Sequence, residues 1–236
     1  MHLTPRLVLA CLLGLLVYHA LLTPARAGLI GFPTPRLQPF QFEVGLSGDS
    51  FKADLSGDGD ARATTGRALV TLNLGLTPWS EVYARVGTAE FNIDEAVFSG
   101  GFAPAFGGGL RLRLWRLPYS DIGLIAQYLR FTSNDDDSAG ASVDGTWEEF
   151  DVGLSLGTRR LGLFQLYTGV TYHQINITLD EPEDDISLHQ RIPVIAFAGV
   201  LIYPFTDFPK GNFTVNIEFR LIGEIPQFTL GLHLQF

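Results

Sequence analysis

The stretch that decides the fold is FTLGLHLQF, residues 228–236. Apolar side chains occupy every second position, and Thr, Gly, His and Gln lie between them. Successive side chains of a β-strand point to opposite sides, so this alternation predicts a strand with one apolar and one polar face. Alternation alone leaves open which of the two faces meets water.

Period-two alternation recurs along most of the chain. It is cleanest in FTVNIEFRL (213–221) and FDVGLSLG (150–157), whereas four other stretches contain phase slips that suggest bulges or two apolar faces. We predict ten strands, with eight as the competing count. The ten candidates are residues 40–47, 68–76, 82–91, 109–115, 121–131, 150–157, 163–177, 194–203, 213–221 and 228–236.

Residues 1–27 have the layout of a cleavable secretory signal. A weakly basic start precedes the apolar stretch LVLACLLGLLVYHALL, and an Ala-Arg-Ala triplet stands before Gly28. This layout predicts a mature chain that begins at Gly28. A lipoprotein signal that uses Cys11 is the weaker alternative. Because Cys11 is the sole cysteine, the mature chain is expected to form no disulfide.

The composition suggests a membrane protein, because 46% of the residues are hydrophobic and the mean hydropathy is +0.20. A spanning helix needs roughly 20 apolar residues. After residue 27 the longest apolar stretch, IPVIAFAGVLIYPF (192–205), is shorter and contains two prolines. Since a bilayer offers no water to backbone groups, the other spanning structure is a closed barrel. We predict an all-β fold over residues 38–236, a transmembrane antiparallel up-and-down β-barrel. The alternative is a soluble sandwich or a lipocalin-like barrel.

The connections between candidate strands alternate between short and long. Outer-membrane barrels have short periplasmic turns and longer outer loops, and an even strand count returns both termini to the short-turn side. The short connections lie at residues 77–81, 116–121, 158–162 and 204–212, and the longer ones at 52–62, 93–101, 133–146 and 179–190. This pattern predicts that both termini lie in the periplasm.

Aromatic residues concentrate near both sets of connections. Residues such as Trp79, Trp115 and Tyr119 lie in or directly beside the short turns. The opposite strand ends carry Phe51, Phe91, Phe131 and Trp147. Aromatic belts mark the two interfaces of a membrane. The two groups therefore predict two lipid-facing girdles.

The signal, the alternating strands and the terminal FTLGLHLQF together resemble the small outer-membrane β-barrels of Gram-negative bacteria, in particular the OmpA transmembrane-domain family and its single-domain relatives. The resemblance implies a location in the bacterial outer membrane. The partners it implies are outer-membrane lipid, lipopolysaccharide and the barrel-assembly machinery. It also implies an assembly signal in the last strand, formed by Phe228, Leu232, Leu234 and Phe236. No domain is expected after the barrel, so a peptidoglycan-binding role is not implied.

The segment before the first strand is rich in proline. Residues 28–37 are expected to form a periplasmic N-terminal segment, because Pro33, Pro35 and Pro39 cannot donate to a sheet ladder. A small plug inside the lumen is the alternative. The opening GLIGFPT is similar to the G-L-I-x-x-P-T start of some outer-membrane proteins, including ones linked with exopolysaccharide export.

The chain is acidic, with 25 acidic and 16 basic residues and a net charge of −9. Most acids fall in the predicted outer loops, so nucleic acid, whose phosphates require basic surface, is not an expected partner. Oxygen-rich runs in these loops are weak candidates for divalent cations, because none has the spacing of a calcium loop. These candidates are Asp135, Asp136, Asp137, Glu183, Asp184 and Asp185. We predict no dedicated metal site and no cofactor.

The polar strand faces carry charges that would line the lumen. They are Glu43, Arg85, Arg111, Arg113, Glu149, Asp151, Glu218 and Arg220. Arg85, Arg111 and Arg113 lie near the short-turn ends of neighbouring strands, where a ring of basic side chains would favour anions. A lumen filled by paired side chains, without a path, is the alternative and is usual in narrow barrels.

These features predict a structural or surface-interaction barrel of the envelope, and a narrow passive channel for small solutes, including anions, is the alternative. An outer-membrane lipid hydrolase is less favoured. TYHQIN (171–176) is similar to the His-x-Ser-Asn stretch of outer-membrane phospholipases, but Ile175 stands at the serine position, so the nucleophile is missing. We therefore predict no enzymatic activity, with His173 as polar lining and His233 facing the lumen without an evident partner.

Overall fold

The computed structural model describes residues 31, 32, 34–94, 98–136, 142–180, 185–205, 213–222 and 225–236. The predicted signal at residues 1–27 lies outside this part of the chain. Within it, no helix is long and apolar enough to cross a membrane.

The described residues form twelve strands. They are β1 (Phe42–Gly57), β2 (Ala61–Thr77), β3 (Ser80–Ile93), β4 (Phe98–Ser99), β5 (Ala103–Arg116), β6 (Ser120–Asp136), β7 (Ser142–Thr158), β8 (Phe164–Asp180), β9 (Ile186–Gln190), β10 (Val194–Phe205), β11 (Phe213–Ile222) and β12 (Ile225–Gln235).

Ten of these strands close into a ring. In the order β1-β2-β3-β5-β6-β7-β8-β10-β11-β12, each strand pairs antiparallel with the next, and β12 returns to β1. The closing register joins Glu43 to Gln235 and Gly48 to Leu230. The predicted antiparallel up-and-down barrel of ten strands is therefore confirmed. We call the end at which β1 begins and β12 ends the proximal end, and the opposite end the distal end.

The barrel narrows toward its distal end. β9 and β10 both pair with β8, but β10 continues to β11 whereas β9 pairs on its other side with β1, joining Gln190 to Leu55. The chain changes partner around Pro193, which has no N–H to give to a ladder. The β11–β12 hairpin ends below this point, so β9 links β8 directly to β1. Within the described part, the distal wall consists of β1, β2, β3, β4, β6, β7, β8 and β9, with β4 paired to β3 alone.

Three of the predicted outer loops are largely strand. β1 and β2 leave only residues 58–60 as their turn, β6 runs to Asp136 and β7 starts at Ser142, and part of 179–190 is β9. The prediction was wrong here because these stretches keep a period of two while the polarity of their two faces is exchanged. Because the prediction assumed an apolar outward face along the whole strand, each of these strands was predicted to end too early.

The two faces of the barrel wall exchange polarity along the axis. In the proximal half of β8, Val170 points outward and is exposed while Thr171 is buried inside. In the distal half of the same strand, Asn176 points outward and Ile177 is buried inside. The same exchange occurs in β1, β2, β3, β6 and β7. The proximal half has an apolar exterior and a polar lumen, whereas the distal half is built like a soluble barrel.

The aromatic residues expected in the distal girdle lie inside the barrel. Phe51, Phe91, Phe131 and Trp147 are each at most 1% exposed. Trp147 stacks on Phe131 at 5.9 Å and lies 5.6 Å from Phe91 and 5.8 Å from Phe51, measured between ring centroids. The prediction of a lipid-facing belt at these positions is wrong. The exposed aromatics nearest the polarity exchange are instead Phe106, Tyr128, Phe150, Tyr172 and Phe228.

The proximal girdle lies where the sequence places it. Trp79, Trp115 and Tyr119 project from the short turns and are 57%, 62% and 86% exposed. Such exposure of large aromatic rings in water would be unusual, and it suits a membrane interface.

Candidate functional site

The distal lumen is filled by an apolar core. Its members are Phe51, Ala53, Leu55, Ala63, Leu69, Ala89, Phe91, Ile93, Phe98, Ala105, Leu129, Phe131, Trp147, Ile175, Ile177, Leu179 and Leu188. We call this core, together with the strand segments that enclose it (51–57, 61–69, 88–93, 98–99, 129–136, 142–148, 174–180 and 186–190), the dome. Interiors packed in this way leave few voids larger than a water molecule.

At the base of the dome and below it, the lumen holds a buried network of ion pairs. The guanidinium of Arg67 donates to Asp49 at 2.7 Å and also to Glu149. Asp151 accepts a hydrogen bond from Gln127 at 2.6 Å and lies 2.6 Å from Nδ1 of His173. Charges removed from water are stable when they are paired in this way, because an isolated buried charge is costly.

A second set of pairs lies nearer the proximal end. Arg36 donates to both carboxylate oxygens of Glu43 at 2.7 and 2.8 Å, and Asn73 donates to the same carboxylate at 3.1 Å. Arg111 bonds to Glu81 and, at 3.0 Å, to Asn73. Hydrogen bonds between charged groups of this kind are shorter and stronger than those between neutral groups.

The three arginines predicted to form a constriction do not converge. Arg85 and Arg111 lie over the ring of Tyr83, at 4.9 and 4.4 Å from its centroid. Arg113 lies at the proximal rim, where it donates to the carbonyl of Pro35 at 2.8 Å and lies 3.0 Å from Asp121. The structure therefore offers no three-arginine ring in the described residues.

The remaining predicted lumen charges lie on β11. Glu218 and Arg220 are fully buried and are 3.1 Å apart. Tyr167 donates to Glu218 at 2.9 Å. Sequence reasoning placed these charges on the inner face, but it missed Arg67 and Arg36. Arg67 precedes the predicted start of its strand, and Arg36 belongs to the segment that was expected to lie outside the barrel.

The N-terminal segment enters the lumen. The backbone N–H of Gly31 donates to Glu218 at 2.9 Å, and Phe32 packs edge-to-face on Tyr167 at 5.5 Å. A Cβ on Gly75 would lie 2.2 Å from the carbonyl oxygen of Gln38, and one on Gly157 would lie 2.7 Å from the Phe32 ring. The favoured interpretation of residues 28–37 as a lead-in outside the barrel is corrected for the described positions from Gly31 onward, because they occupy the space that these glycines leave.

Among the described residues, one group of side chains could hold a metal ion. It consists of Glu149, Asp151 and His173. Their ligand atoms lie within 4.8 Å of one another, and all three side chains are buried. The guanidinium of Arg67 already neutralises Glu149, however, and a cation beside it would be repelled. The geometry is better described as an ion-pair network than as a metal centre.

The catalytic alternative lacks a nucleophile. His173 is fully buried, and its Nε2 has no hydrogen-bond partner within the described part of the chain. Ile175, at the position where a serine would be needed, belongs to the dome core. His233 lies 3.1 Å from Glu43 and is buried too. The expected absence of enzymatic activity stays a prediction.

The distal rim is exposed and carries paired charges. Arg62 lies 3.0 Å from Asp54, and the hydrogen bond that Arg191 donates to Asp60 raises the pKa of its guanidinium. Among the weak cation candidates, Asp135 accepts a hydrogen bond from the Ser99 backbone at 2.8 Å. Asp185 is exposed, only the backbone of Asp136 is described, and Asp137, Glu183 and Asp184 lie outside the described residues.

The last strand closes the barrel with its apolar side chains outward. Phe228 and Phe236 are 54% and 48% exposed, and Leu232 and Leu234 are half-buried on the same face. Phe236 donates its backbone N–H to Phe42 at 2.9 Å. The four residues of the predicted assembly signal therefore share one outward surface.

Comparison with solved structures gives the fold. The translocator domain of the autotransporter NalP from Neisseria meningitidis is similar over 96% of this chain and 95% of that one, with a TM-score of 0.51 and 9% identity. The chain thus has the fold of an outer-membrane β-barrel.

Weaker likenesses exist to the outer membrane protease OmpT from Escherichia coli (TM-score 0.43, 11% identity, 85% of this chain and 99% of that one) and to the outer membrane protein AlkL (0.42, 14%, 87% and 95%). Neither a protein-family model nor a curated protein matches the sequence. The resemblance to the OmpA family stays a prediction.

Proposed function

We propose that this protein is a barrel of the bacterial outer membrane that serves a structural and surface-interaction role, with a closed dome displayed outside the bilayer. The observation that carries the proposal is the exchange of polarity along the wall. An exterior of exposed Leu, Val, Ile and Phe suits lipid in the proximal half. Above it, an exterior of Thr, Asn and charged side chains suits water.

The proposed orientation places both termini in the periplasm and the dome on the cell surface. The proximal turns are short and bear the aromatic rings of Trp79, Trp115 and Tyr119, which suits the periplasmic interface. The outward-facing apolar side chains of β2 extend from Val70 to Leu76. This distance is about 20 Å along the strand, at roughly 3.3 Å per residue. At a tilt of about 40° this segment rises only about 15 Å, and the aromatic positions at its two ends extend the apolar exterior toward a membrane band of about 25 Å.

The filled lumen argues against the alternative of a passive channel. A solute entering from the distal end would meet the rings around Trp147, and one entering from the proximal end would meet residues 31, 32 and 34–39. Between these barriers, Arg67 and Arg111 are paired with carboxylates, and Arg85 lies over the ring of Tyr83. The interior thus supports a structural scaffold rather than an anion-selective pore.

Single-cysteine labelling of intact cells tests the orientation. The predicted mature chain has no cysteine, so a thiol introduced at Gly59, where a side chain would meet open space, is unique. We expect Gly59→Cys to react with a membrane-impermeant maleimide on intact cells. Arg116→Cys, at an exposed proximal turn, should react only after the outer membrane is permeabilised. The opposite pattern would reverse the orientation, and labelling of neither site in folded protein would contradict the display of the dome.

Planar-bilayer recording tests the closed lumen. The purified barrel should insert without producing conductance steps. Insertion is checked in the same preparation by heat-modifiable gel mobility. Regular steps from a correctly inserted barrel would restore the channel interpretation.

A further inference from the structure

The outward face of β6, β7 and β8 changes character in regular steps along the barrel axis. The register aligns side chains of the three strands in cross-strand rows, about 4.8 Å apart between strands and roughly 7 Å from row to row. The lowest rows are apolar, as in Leu124, Leu154 and Val170. These rows belong to the lipid-facing band of the proximal half.

A layer of exposed aromatic rings, which we call the aromatic step, separates the apolar rows from the polar ones. Tyr128 pairs with Phe150, and Tyr172 lies one row lower on β8; all three rings are exposed. Both tyrosine hydroxyls point away from the apolar rows, because Tyr128 donates to Glu148 at 2.9 Å and Tyr172 donates to Gln174 at 3.1 Å. Rings with one apolar body and one polar tip settle at the level of lipid headgroups.

The first row above the aromatic step contains a cationic side chain, that of Arg130. Arg130, Glu148 and Asn176 are aligned, and the Arg130 guanidinium lies 3.7 Å from the Glu148 carboxylate. Arg130 is nearly half exposed, so its remaining donors face the level at which lipid phosphates lie. A planar guanidinium is well suited to phosphate, which it binds through two parallel hydrogen bonds.

The next row consists of hydroxyl groups. Thr132, Thr146 and Thr178 are aligned on β6, β7 and β8, and Ser187 continues the row on β9. Each hydroxyl can donate and accept, which matches the hydroxyls of sugars. The Thr132 and Thr146 oxygens are 3.1 Å apart and already share one hydrogen bond. The outermost row carries two further carboxylates, Asp144 and Asp180, beyond the one at Glu148.

We propose that this face binds lipopolysaccharide, with acyl chains on the apolar rows, a phosphate at Arg130 and core sugars on the threonine row. The inference rests on the proposed function, since it requires the barrel to stand in the outer membrane. The order of the rows reproduces the order of groups in this glycolipid, continuous with the lipid-facing band.

Other occupants fit the face less well. The threonine row lies about 13 Å along the strand from the aromatic step, whereas the headgroup region of a phospholipid leaflet is roughly 5–8 Å deep. A phospholipid therefore ends below the hydroxyls. A protein partner would need an apolar centre at the interface, and the polar rows contain none among their described members.

Binding of defined lipids to the purified barrel tests the proposal. The probes are lipopolysaccharide with its inner core, lipid A without core sugars, and phosphatidylglycerol, each titrated by native mass spectrometry. The hydroxyl-row variant Thr132→Ala/Thr146→Ala/Thr178→Ala should bind lipopolysaccharide about tenfold more weakly, because three hydrogen-bonding groups are lost. Its affinity for lipid A should be unchanged. Arg130→Gln should weaken the binding of both glycolipids.

A matched control uses threonines on the far side of the dome. Thr64 and Thr88 point outward on β2 and β3, so Thr64→Ala/Thr88→Ala removes the same chemistry elsewhere. Unchanged lipopolysaccharide binding by the hydroxyl-row variant, an equal loss in the control, or binding of phosphatidylglycerol as tight as that of lipopolysaccharide would each overturn the proposal. Heat-modifiable mobility of every variant separates the two levels of inference. If the wild-type barrel never inserts, the proposed function is contradicted. If the barrel inserts but the variants bind lipopolysaccharide as tightly as the wild type, only the assignment of the lipid is contradicted.

Discussion

The ring of Phe236 stacks on the ring of Phe42, with 5.1 Å between their centroids and an angle of 18° between their planes. The final residue thus packs against the first residue of β1, next to the six-residue register that closes the barrel. β1 and β2, by comparison, are joined along fourteen register pairs. The β1–β12 seam is therefore the shorter of the two pairings that β1 makes within the ring.

Replacing Phe236 by alanine should slow insertion more than it destabilises the inserted barrel. The lost stacking is exposed at the membrane surface and is worth about 0.5–1.5 kcal/mol, whereas an assembly signal acts during insertion. The measurement is the rate at which the heat-modifiable form appears in vesicles that contain the assembly machinery. Urea unfolding of the inserted protein gives the stability.

Phe42→Ala is the matched control for this prediction. It removes the same stacked pair and leaves the terminal aromatic in place. Slower assembly with Phe236→Ala but not with Phe42→Ala would support the signal. Equal slowing by both substitutions would reduce the role of Phe236 to packing.

Trp147→Ala should loosen the dome and leave the proximal barrel closed. Trp147 is fully buried against Phe51, Phe91 and Phe131, and removing a buried ring of this size costs about 4 kcal/mol. Limited proteolysis should then cut the distal segments of β6 and β7. Phe150→Ala, on the outward face of the same strand, should leave protease resistance unchanged. Cleavage of both variants alike would argue against an independently packed dome core.

Arg67→Gln should cost about 3–5 kcal/mol of unfolding free energy, because it leaves the buried carboxylates of Asp49 and Glu149 without their cation. Arg62→Gln is the control on the same strand. Its pair with Asp54 is about half exposed, so its loss should cost less than about 1 kcal/mol. Urea titration in micelles measures both. Similar losses from the two substitutions would mean that the lumen network is hydrated rather than sealed.

Deleting residues 28–37 should not open a conducting path by itself. The deletion removes Arg36 from Glu43 and Phe32 from Tyr167, but the dome core still fills the distal lumen. Recordings should therefore stay silent for the deletion alone. Steps are expected only when the deletion is combined with Trp147→Ala. Conductance from the deletion alone would place the whole barrier in the N-terminal segment.

The alternation of the sequence located the ten strands of the ring, although not their full lengths, because side-chain period and backbone geometry are directly linked. The closed ring was predicted only when the apolar composition and the demands of a bilayer were added. The alternation was not enough to predict the dome. Phe91 and Trp147 have the same period-two spacing whether they face lipid or a core, and the facing direction depends on height along the barrel axis. Arg67 was missed because it precedes the predicted start of its strand, in the stretch where the faces exchange polarity. Arg36 was missed because it lies in a proline-rich segment whose entry into the lumen no periodicity indicates.

The exchange of polarity also has a consequence for biogenesis. The tips of hairpins such as β6–β7 carry Asn, Thr, Arg and Glu on their outward face. In the proposed orientation, these groups have to cross the hydrocarbon layer before the inward rings can meet. Each polar group held in hydrocarbon without a partner costs several kcal/mol. Translocation of the tips is therefore a barrier that grows with bilayer thickness. Once the distal strands have closed around Trp147, burial of the apolar core stabilises the inserted barrel. The crossing is then difficult to reverse.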